Sequence, residues 1–226
     1  MKSQQENGAQ KEEREFIQSR LGMVEKFVAG RGVTDPRVLE AMRAVPRHLF
    51  VPHYLASKAY GQSALSIGSN QTISQPYIVG RMIELLALTG KEKVLEVGTG
   101  TGYQAAVLSR VAARVFSIER VNDLAMTAVQ LIRKLGINNV SIKVFDGTYG
   151  WSDQAPFDRI IIAAAAPEIP EPLLQQLSRT GKMVLPIGPP GKQRLARVGR
   201  VGTSLQIEDC GTADFVPLVG RFGWKE

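Results

Sequence analysis

Features on which secreted, membrane and metal proteins rely are scarce in these 226 residues. The single cysteine, Cys210, cannot form an intramolecular disulfide, and the two histidines, His48 and His53, lack the spacing of metal ligands. Apolar runs such as Ile160–Ala166 fall far below the ~20 residues that span a bilayer. The polar residues 1–20 lack the apolar segment of a secretory signal. These absences predict a cytoplasmic protein with no metal and no membrane partner.

No run of five basic residues occurs, although the formal net charge is +7. The densest basic stretch, residues 192–200, alternates arginine with apolar residues, which is typical of a hairpin with one solvated face. Nucleic-acid binding usually needs basic residues clustered on one surface. We therefore expect no nucleic-acid partner.

The chain divides into segments of different pattern. Residues 1–12 are polar and predict a disordered N-terminal arm. Residues 13–226 predict a single domain: helices over 13–90, alternating strands and helices over 91–190, and antiparallel strands, including 214–219, over 191–226. Alternating strands and helices indicate a parallel sheet that helices cover on both faces.

A glycine-rich turn follows the first strand of the alternating region. Residues 95–102 read Leu-Glu-Val-Gly-Thr-Gly-Thr-Gly and open a helix. Gly98 permits a tight turn and Gly100 lets a ligand approach the backbone, while Glu119 ends the next strand where a carboxylate can accept from ribose hydroxyls. A dinucleotide fingerprint would need glycine at Tyr103. The turn therefore favours S-adenosylmethionine, which has no pyrophosphate, over a nicotinamide cofactor.

Two further positions have more than one interpretation. Asp146-Gly147 follows the third strand at the same edge of the sheet, so Asp146 could accept from an adenine amino group, or the pair could form only a turn. Ser74 precedes Pro76 at the head of a predicted helix, where a serine is typical of an N-cap. From spacing alone, the cap is favoured over a catalytic role.

Several segments together resemble one family over about Val24 to Val219. They include Thr-Ile-Ser-Gln-Pro at 72–76, Ala-Ala-Ala-Pro at 164–167, Leu-Pro-Ile-Gly at 185–188 and the glycine-rich turn. The chain resembles protein-L-isoaspartate (D-aspartate) O-methyltransferases. The resemblance implies an α/β, Rossmann-like class I methyltransferase fold, with a mostly parallel doubly wound sheet, N-terminal helices and antiparallel C-terminal strands.

The resemblance also implies an activity and a set of site residues. A monomeric enzyme would methylate the free α-carboxylate of L-isoaspartyl residues, with D-aspartyl as a further acceptor, in damaged proteins and peptides. Ser74 is the implied catalytic residue. Implied contacts to S-adenosylmethionine are Gln71, Thr72, Ile73, Glu96, Gly98, Thr99, Gly100, Glu119, Asp146 and Gly147. Implied contacts to the substrate are Ser74, Ala165, Ala166, Pro167, Leu185 and Pro186.

The chemistry of such an acceptor agrees with the scarcity of histidine and cysteine. A carboxylate with a pKa near ~4 is already a nucleophile at neutral pH, so no general base is needed. Two alternatives remain open: a methyltransferase for a small molecule or nucleic acid, and a cofactor-binding protein without catalysis in which Ser74 only caps a helix.

Overall fold

The computed structural model describes residues 2–201 and 204–225, with side chains from 12 to 199 and from 204 to 225. Helix α1 (Lys2–Met23) continues through a π turn (Val24–Val28) and a 3-10 turn (Ala29–Arg31). The structure thus differs from the disorder predicted for residues 1–12, of which Met1 lies outside the described residues. Glutamine, glutamate and lysine, which are frequent there, are good helix formers even where little apolar surface is buried.

Two more helices and a hairpin complete the N-terminal part. Helix α2 (Pro36–Ala44) begins with a proline, and the Asp35 side chain caps it by accepting from the Arg37 backbone N–H at 2.9 Å. Strands β1 (Leu65–Gly68) and β2 (Gln71–Ile73) form an antiparallel hairpin ahead of helix α3 (Pro76–Leu85). This hairpin is not evident in the sequence, where Gly61 and Gly68 indicate irregular structure.

The remaining chain forms a seven-stranded sheet with helices between its parallel strands. The strands are β3 (Lys93–Val97), β4 (Arg114–Glu119), β5 (Val140–Val144), β6 (Phe157–Ile162), β7 (Leu177–Ile187), β8 (Arg194–Val201) and β9 (Ser204–Thr212). Helices α4 (Tyr103–Leu108), α5 (Asn122–Lys134) and α6 (Glu171–Gln175) lie between them in sequence. The order is β5-β4-β3-β6-β7-β8-β9, with five parallel strands followed by two antiparallel ones.

Apolar side chains cover both faces of the parallel strands. Val94 belongs to a cluster that packs against the N-terminal helices, whereas its neighbour Leu95 belongs to a second cluster that includes Leu173 of α6. Strands covered on both faces have near-continuous apolar sequence, as in the buried residues 160–162 of β6.

Strand β3 is the point at which the strand order reverses. Its parallel partners are β4 on one side and β6 on the other. In open α/β sheets a crevice forms at the carboxyl ends of the strands at such a point, and ligands bind there. The glycine-rich turn directly follows β3 and therefore opens into this crevice.

The segment 214–219, predicted as an antiparallel strand, does not form one. Pro217 makes an isolated parallel bridge with Ala165, and the flanking Val216 and Leu218 exchange backbone hydrogen bonds of 2.8 Å with Ala165. Proline has no N–H to donate to a ladder, so a regular strand is disfavoured. Within the described residues no helix is long and apolar enough to cross a membrane, and no group of three potential metal ligands occurs there.

Candidate active site

A cavity lies over the carboxyl ends of β3 and β4, and most of the predicted cofactor residues line it. The predicted residues that line the cavity are Gln71, Thr72, Ile73, Ser74, Gly98, Thr99, Gly100, Glu119 and Gly147. The enclosed volume is about 90 Å³, below the ~300 Å³ of a typical small-molecule site. The hairpin forms the roof: a Cβ added to Gly100 would lie 3.2 Å from Cδ1 of Ile67 in β1. The hairpin therefore lies directly against the glycine-rich turn.

Glu119 joins the floor of the cavity to the glycine-rich turn. Gly98 and Gly100 have φ of 94° and 55°, values that favour glycine. The Gly100 N–H donates to Glu119 Oε2 at 2.8 Å, and the Val121 N–H donates to Oε1 at 3.0 Å. A carboxylate offers about four lone pairs. Glu119 can therefore hold the turn and still accept from ligand hydroxyls in the cavity.

Glu96 lies below the turn and is not among the residues that line the cavity, so its contact with the cofactor stays a prediction. Its carboxyl group is fully buried and accepts from the Ser117 hydroxyl, which also lies 2.5 Å from Thr99 Oγ1. Burial raises the pKa of Glu96 to about 8, so the group is mostly protonated at neutral pH. Glu96 supports the turn from beneath.

Asp146 is also engaged by the chain itself. Its Oδ1 accepts from the N–H and hydroxyl of Thr148 at 2.9 and 2.7 Å, and its Oδ2 accepts from the Arg221 N–H at 2.8 Å. Gly147 lines the cavity, but Asp146 faces a separate surface pocket that includes Gly220 and Trp224. Asp146 therefore anchors the turn formed by residues 220–223, called the C-terminal turn, which was not predicted from the sequence. The predicted contact between Asp146 and adenine gains no support.

The C-terminal turn also holds the wall of the cavity that residues 216–219 form. Residues 216–219 line the cavity. The Trp224 backbone N–H donates to the Leu218 carbonyl at 2.8 Å, and its indole N–H donates to the Ala165 carbonyl at 2.9 Å. The wall is thus fixed from behind by the last described residues.

A second, larger space of about 660 Å³ adjoins the first and is called here the acceptor groove. Arg31, Tyr77 and Arg81 line one side, and residues 210–216 line the other. The Arg31 guanidinium stacks 4.1 Å from the centre of the Tyr77 ring. The residues that line both the cavity and the acceptor groove are Thr72, Ser74, Ala163 and Val216.

Ser74 is half-buried at this junction and does not cap α3. The N-cap position is Gln75, and no side chain caps the helix there. Among the described residues, no hydrogen bond is made by the Ser74 hydroxyl, while its carbonyl accepts from Arg47 Nη2 at 2.7 Å. The interpretation that spacing alone favoured is therefore wrong, and the hydroxyl is available to a ligand.

The predicted substrate residues beyond Ser74 lie behind the site. Ala165, Ala166, Leu185 and Pro186 are buried and Pro167 is half-buried, and none of them lines the cavity or the groove. Their backbones bond to one another and to the tail, as in the 3.0 Å bond from the Ala166 N–H to the Pro186 carbonyl. Ala163 and Ala164, immediately before them, line the cavity instead.

Sequence reasoning missed several lining residues. Ile67, Val79, Gln104 and Val219 line the cavity, and Arg31 and Arg81 line the groove. Arg31 and Arg81 belong to no motif, because only the fold brings them together.

The comparison with known families decides the identity of the chain. The model of the protein-L-isoaspartate (D-aspartate) O-methyltransferases matches residues 18–223. The chain belongs to this family. A protein-L-isoaspartate O-methyltransferase from Syntrophus aciditrophicus (strain SB) is 50% identical over 213 residues, which cover 93% of this chain and 98% of that protein. A protein-L-isoaspartate O-methyltransferase from Geobacter metallireducens is 49% identical over 210 residues, which cover 92% of this chain and 97% of that protein.

Solved structures confirm the predicted fold. A protein-L-isoaspartate O-methyltransferase matches with a TM-score of 0.82 and 28% identity, covering 92% of this chain and 67% of that one. A Plasmodium falciparum protein, described as a putative member of the same family in complex with S-adenosyl-L-homocysteine, matches with a TM-score of 0.73 and 24% identity, covering 87% and 96%. The α/β architecture of this chain is thus the one found in solved members of the family.

Proposed function

We propose that this chain transfers a methyl group from S-adenosylmethionine to the free α-carboxylate of L-isoaspartyl residues, and of D-aspartyl residues, in damaged proteins and peptides. The products are a methyl ester and S-adenosylhomocysteine. The observation that carries this proposal is the junction of the cavity with the acceptor groove at Ser74. A methyl donor in the cavity and a substrate carboxylate in the acceptor groove would meet at this junction. The enzyme would act as a monomer in the cytoplasm.

The residues of the cavity fit S-adenosylmethionine. Glu119 offers acceptors for two ribose hydroxyls, the turn at Gly98–Gly100 offers an open backbone, and Gly147 presents no side chain to the ligand. When bound, the cofactor supplies a sulfonium-activated methyl group: the bond to the carboxylate oxygen forms as the carbon–sulfur bond breaks, and its electron pair stays on sulfur. The β1–β2 hairpin would open to admit the cofactor and close over it.

A carboxylate acceptor does not require a general base from the site. Burial raises the pKa of Tyr103 in the cavity to about 12, and burial together with the Glu208 charge raises the pKa of Cys210 in the groove. Neither histidine lines the cavity or the groove. An amine or hydroxyl acceptor would have to lose a proton, whereas a carboxylate with a pKa near ~4 is already ionised.

Alignment of the two reactants is then the main contribution of the protein. Such alignment can contribute up to ~7–11 kcal/mol. The Ser74 hydroxyl would donate to one carboxylate oxygen, so that the other oxygen faces the methyl group. The closed hairpin would exclude water from the carboxylate.

Two synthetic peptides that differ only in an isoaspartyl or a normal aspartyl linkage test this proposal. Transfer from labelled S-adenosylmethionine is followed by base-labile release of methanol, which distinguishes an ester from an amide or ether. We expect transfer to the isoaspartyl peptide alone. Equal transfer to both peptides, or transfer to neither while S-adenosylhomocysteine still binds, would contradict the proposed acceptor and favour a small molecule or nucleic acid instead.

A further inference from the structure

Arg47 is a fully buried arginine that the proposed chemistry does not use. Its side chain is 0% exposed and has no carboxylate partner among the described residues. Burial lowers the pKa of the guanidinium, and its Nη1 has no hydrogen-bond partner in the described structure. An unpaired buried charge is costly to a fold. Such a group therefore calls for an explanation beyond packing.

The contacts of Arg47 join separate parts of the site. Its Nε donates to the Ala59 carbonyl at 2.9 Å, and its Nη2 donates to the Ser74 carbonyl at 2.7 Å. The guanidinium also lies 4.7 Å from the ring centre of Tyr103, the first residue of α4 after the glycine-rich turn. Three segments, at Ala59, Ser74 and Tyr103, are thus contacted by one planar group.

The 3-10 turn that carries Arg47 is itself bonded to the glycine-rich turn. This 3-10 turn spans Arg47–Phe50, and the Phe50 carbonyl accepts from Thr101 Oγ1 at 2.6 Å. One short segment therefore contacts the cofactor side through Thr101 and the acceptor side through Ser74. Movement of either side relative to the other would break one of these hydrogen bonds.

We infer that Arg47 is a positioning residue for methyl transfer: it fixes the peptide unit of Ser74, and with it the Ser74 hydroxyl, relative to the glycine-rich turn. This inference rests on the proposed role of Ser74. A lysine could keep the charge but not the planar fork that donates to two carbonyls and stacks on a ring. Substitution by lysine should therefore misplace Ser74 while the cofactor residues stay in place.

Arg159 provides a matched control for a merely structural role. It is also largely buried, and it also donates to backbone carbonyls, those of Leu86 at 2.6 Å and Asp158 at 2.7 Å. It lies in β6 next to Phe157 and Asp158, at the end of the strand opposite the cavity, and lines neither cavity nor groove. Arg159→Lys should thus reduce stability without affecting the site.

The experiment compares Arg47→Lys, Arg159→Lys, Ser74→Ala and the double variant Arg47→Lys/Ser74→Ala. Melting temperature, the Kd for S-adenosylhomocysteine, and kcat and KM for an isoaspartyl peptide are measured for each. We expect both lysine variants to melt at a lower temperature. Only Arg47→Lys should lower kcat/KM, by about 10- to 100-fold, with the Kd for S-adenosylhomocysteine changed less than about 3-fold.

The double variant shows whether Arg47 acts through Ser74. If it does, Arg47→Lys should lower kcat/KM by less than about 3-fold when Ser74 is already alanine, because residues that act as a unit are not additive. Should Arg47→Lys fail to fold, Arg47→Gln replaces it, since a neutral amide avoids burying an unpaired ammonium and still reaches one carbonyl.

Three results would overturn the inference. One is a loss of kcat/KM in the Arg47 variant no greater than in Arg159→Lys. Another is a full loss that persists in the Ser74→Ala background. The third is an unchanged kcat/KM in Ser74→Ala itself. An inactive wild-type protein on isoaspartyl peptides would instead contradict the proposed function, which keeps the two failures distinct.

Discussion

The cofactor cavity and the acceptor groove are built in different ways. The floor of the cavity is the continuous turn Gly98–Gly102 with Glu119 and Gly147, each at the end of a neighbouring parallel strand. The groove combines Arg31, the start of α3 and residues 210–216, which are distant in sequence. The floor of the cofactor cavity is thus built from short motifs at strand ends, whereas the acceptor groove depends on tertiary assembly. Substitutions should therefore separate the two functions.

The largest effect is expected from Glu119→Ala. The substitution removes the acceptor for the Gly100 N–H and for ligand hydroxyls, so affinity for S-adenosylhomocysteine should fall by about 100-fold in isothermal titration calorimetry. Glu92→Ala is the matched control, because Glu92 also accepts from backbone N–H groups, those of Thr89, Gly90 and Lys91, but lies away from the cavity. Equal loss of affinity in both variants would contradict the assignment of Glu119.

A smaller effect is expected from Gly147→Ala. Its Cβ would lie 2.5 Å from Cγ1 of the buried Val97 beneath the cavity, and such overpacking should lower the free energy of unfolding by about 1–3 kcal/mol in urea denaturation. Gly22→Ala, in helix α1 with open space around it, should instead raise the free energy by up to about 1 kcal/mol. A Gly147 variant as stable as wild type would mean that this floor is less tightly packed than the structure shows.

A further effect, on stability rather than on cofactor affinity, is expected from Glu96→Gln, and it should depend on pH. Because burial raises the pKa of Glu96 from about 4.5 to about 8, the native state keeps a proton that the unfolded state releases, and wild-type stability decreases as pH rises through this range. Glutamine lacks this proton equilibrium. The melting temperature of the variant relative to wild type should therefore rise from pH 5 to pH 8 and level off above it.

Two outcomes for Glu96→Gln would contradict the role of Glu96 as a buried, protonated support of the glycine-rich turn. A difference in melting temperature that does not vary with pH would contradict the raised pKa. A loss of affinity for S-adenosylhomocysteine greater than about 3-fold would indicate that Glu96 contacts the cofactor, which its burial argues against.

The parts of the fold that were predictable from sequence are those in which local pattern and tertiary role coincide. Strand β3 is a buried apolar run followed by glycines with positive φ, and each feature has a local physical reason. The same holds for Glu119 at the end of β4. The segment 214–219 was assigned wrongly because its apolar run was given more weight than Pro217, which lacks the N–H that a ladder needs.

The roles of single polar residues were less predictable, because similar side chains can serve a ligand or the chain itself. Asp146 follows a strand at the binding edge, yet its oxygens accept from Thr148 and Arg221. Ser74 stands where a cap is typical, yet the cap position is Gln75. Which partner such a group has depends on residues far away in sequence, and spacing contains no information about them.

The most direct test of the separation between the two regions is one pair of measurements on Ser74→Ala: kcat/KM for an isoaspartyl peptide and the Kd for S-adenosylhomocysteine. Ser66→Ala, on an exposed serine of the adjacent β1–β2 hairpin, is the control. We expect kcat/KM to fall by about 10-fold or more in Ser74→Ala alone, with the Kd for S-adenosylhomocysteine within about 2-fold of wild type. Unchanged kcat/KM, or an equal loss of cofactor affinity, would contradict the placement of Ser74 at the carboxylate.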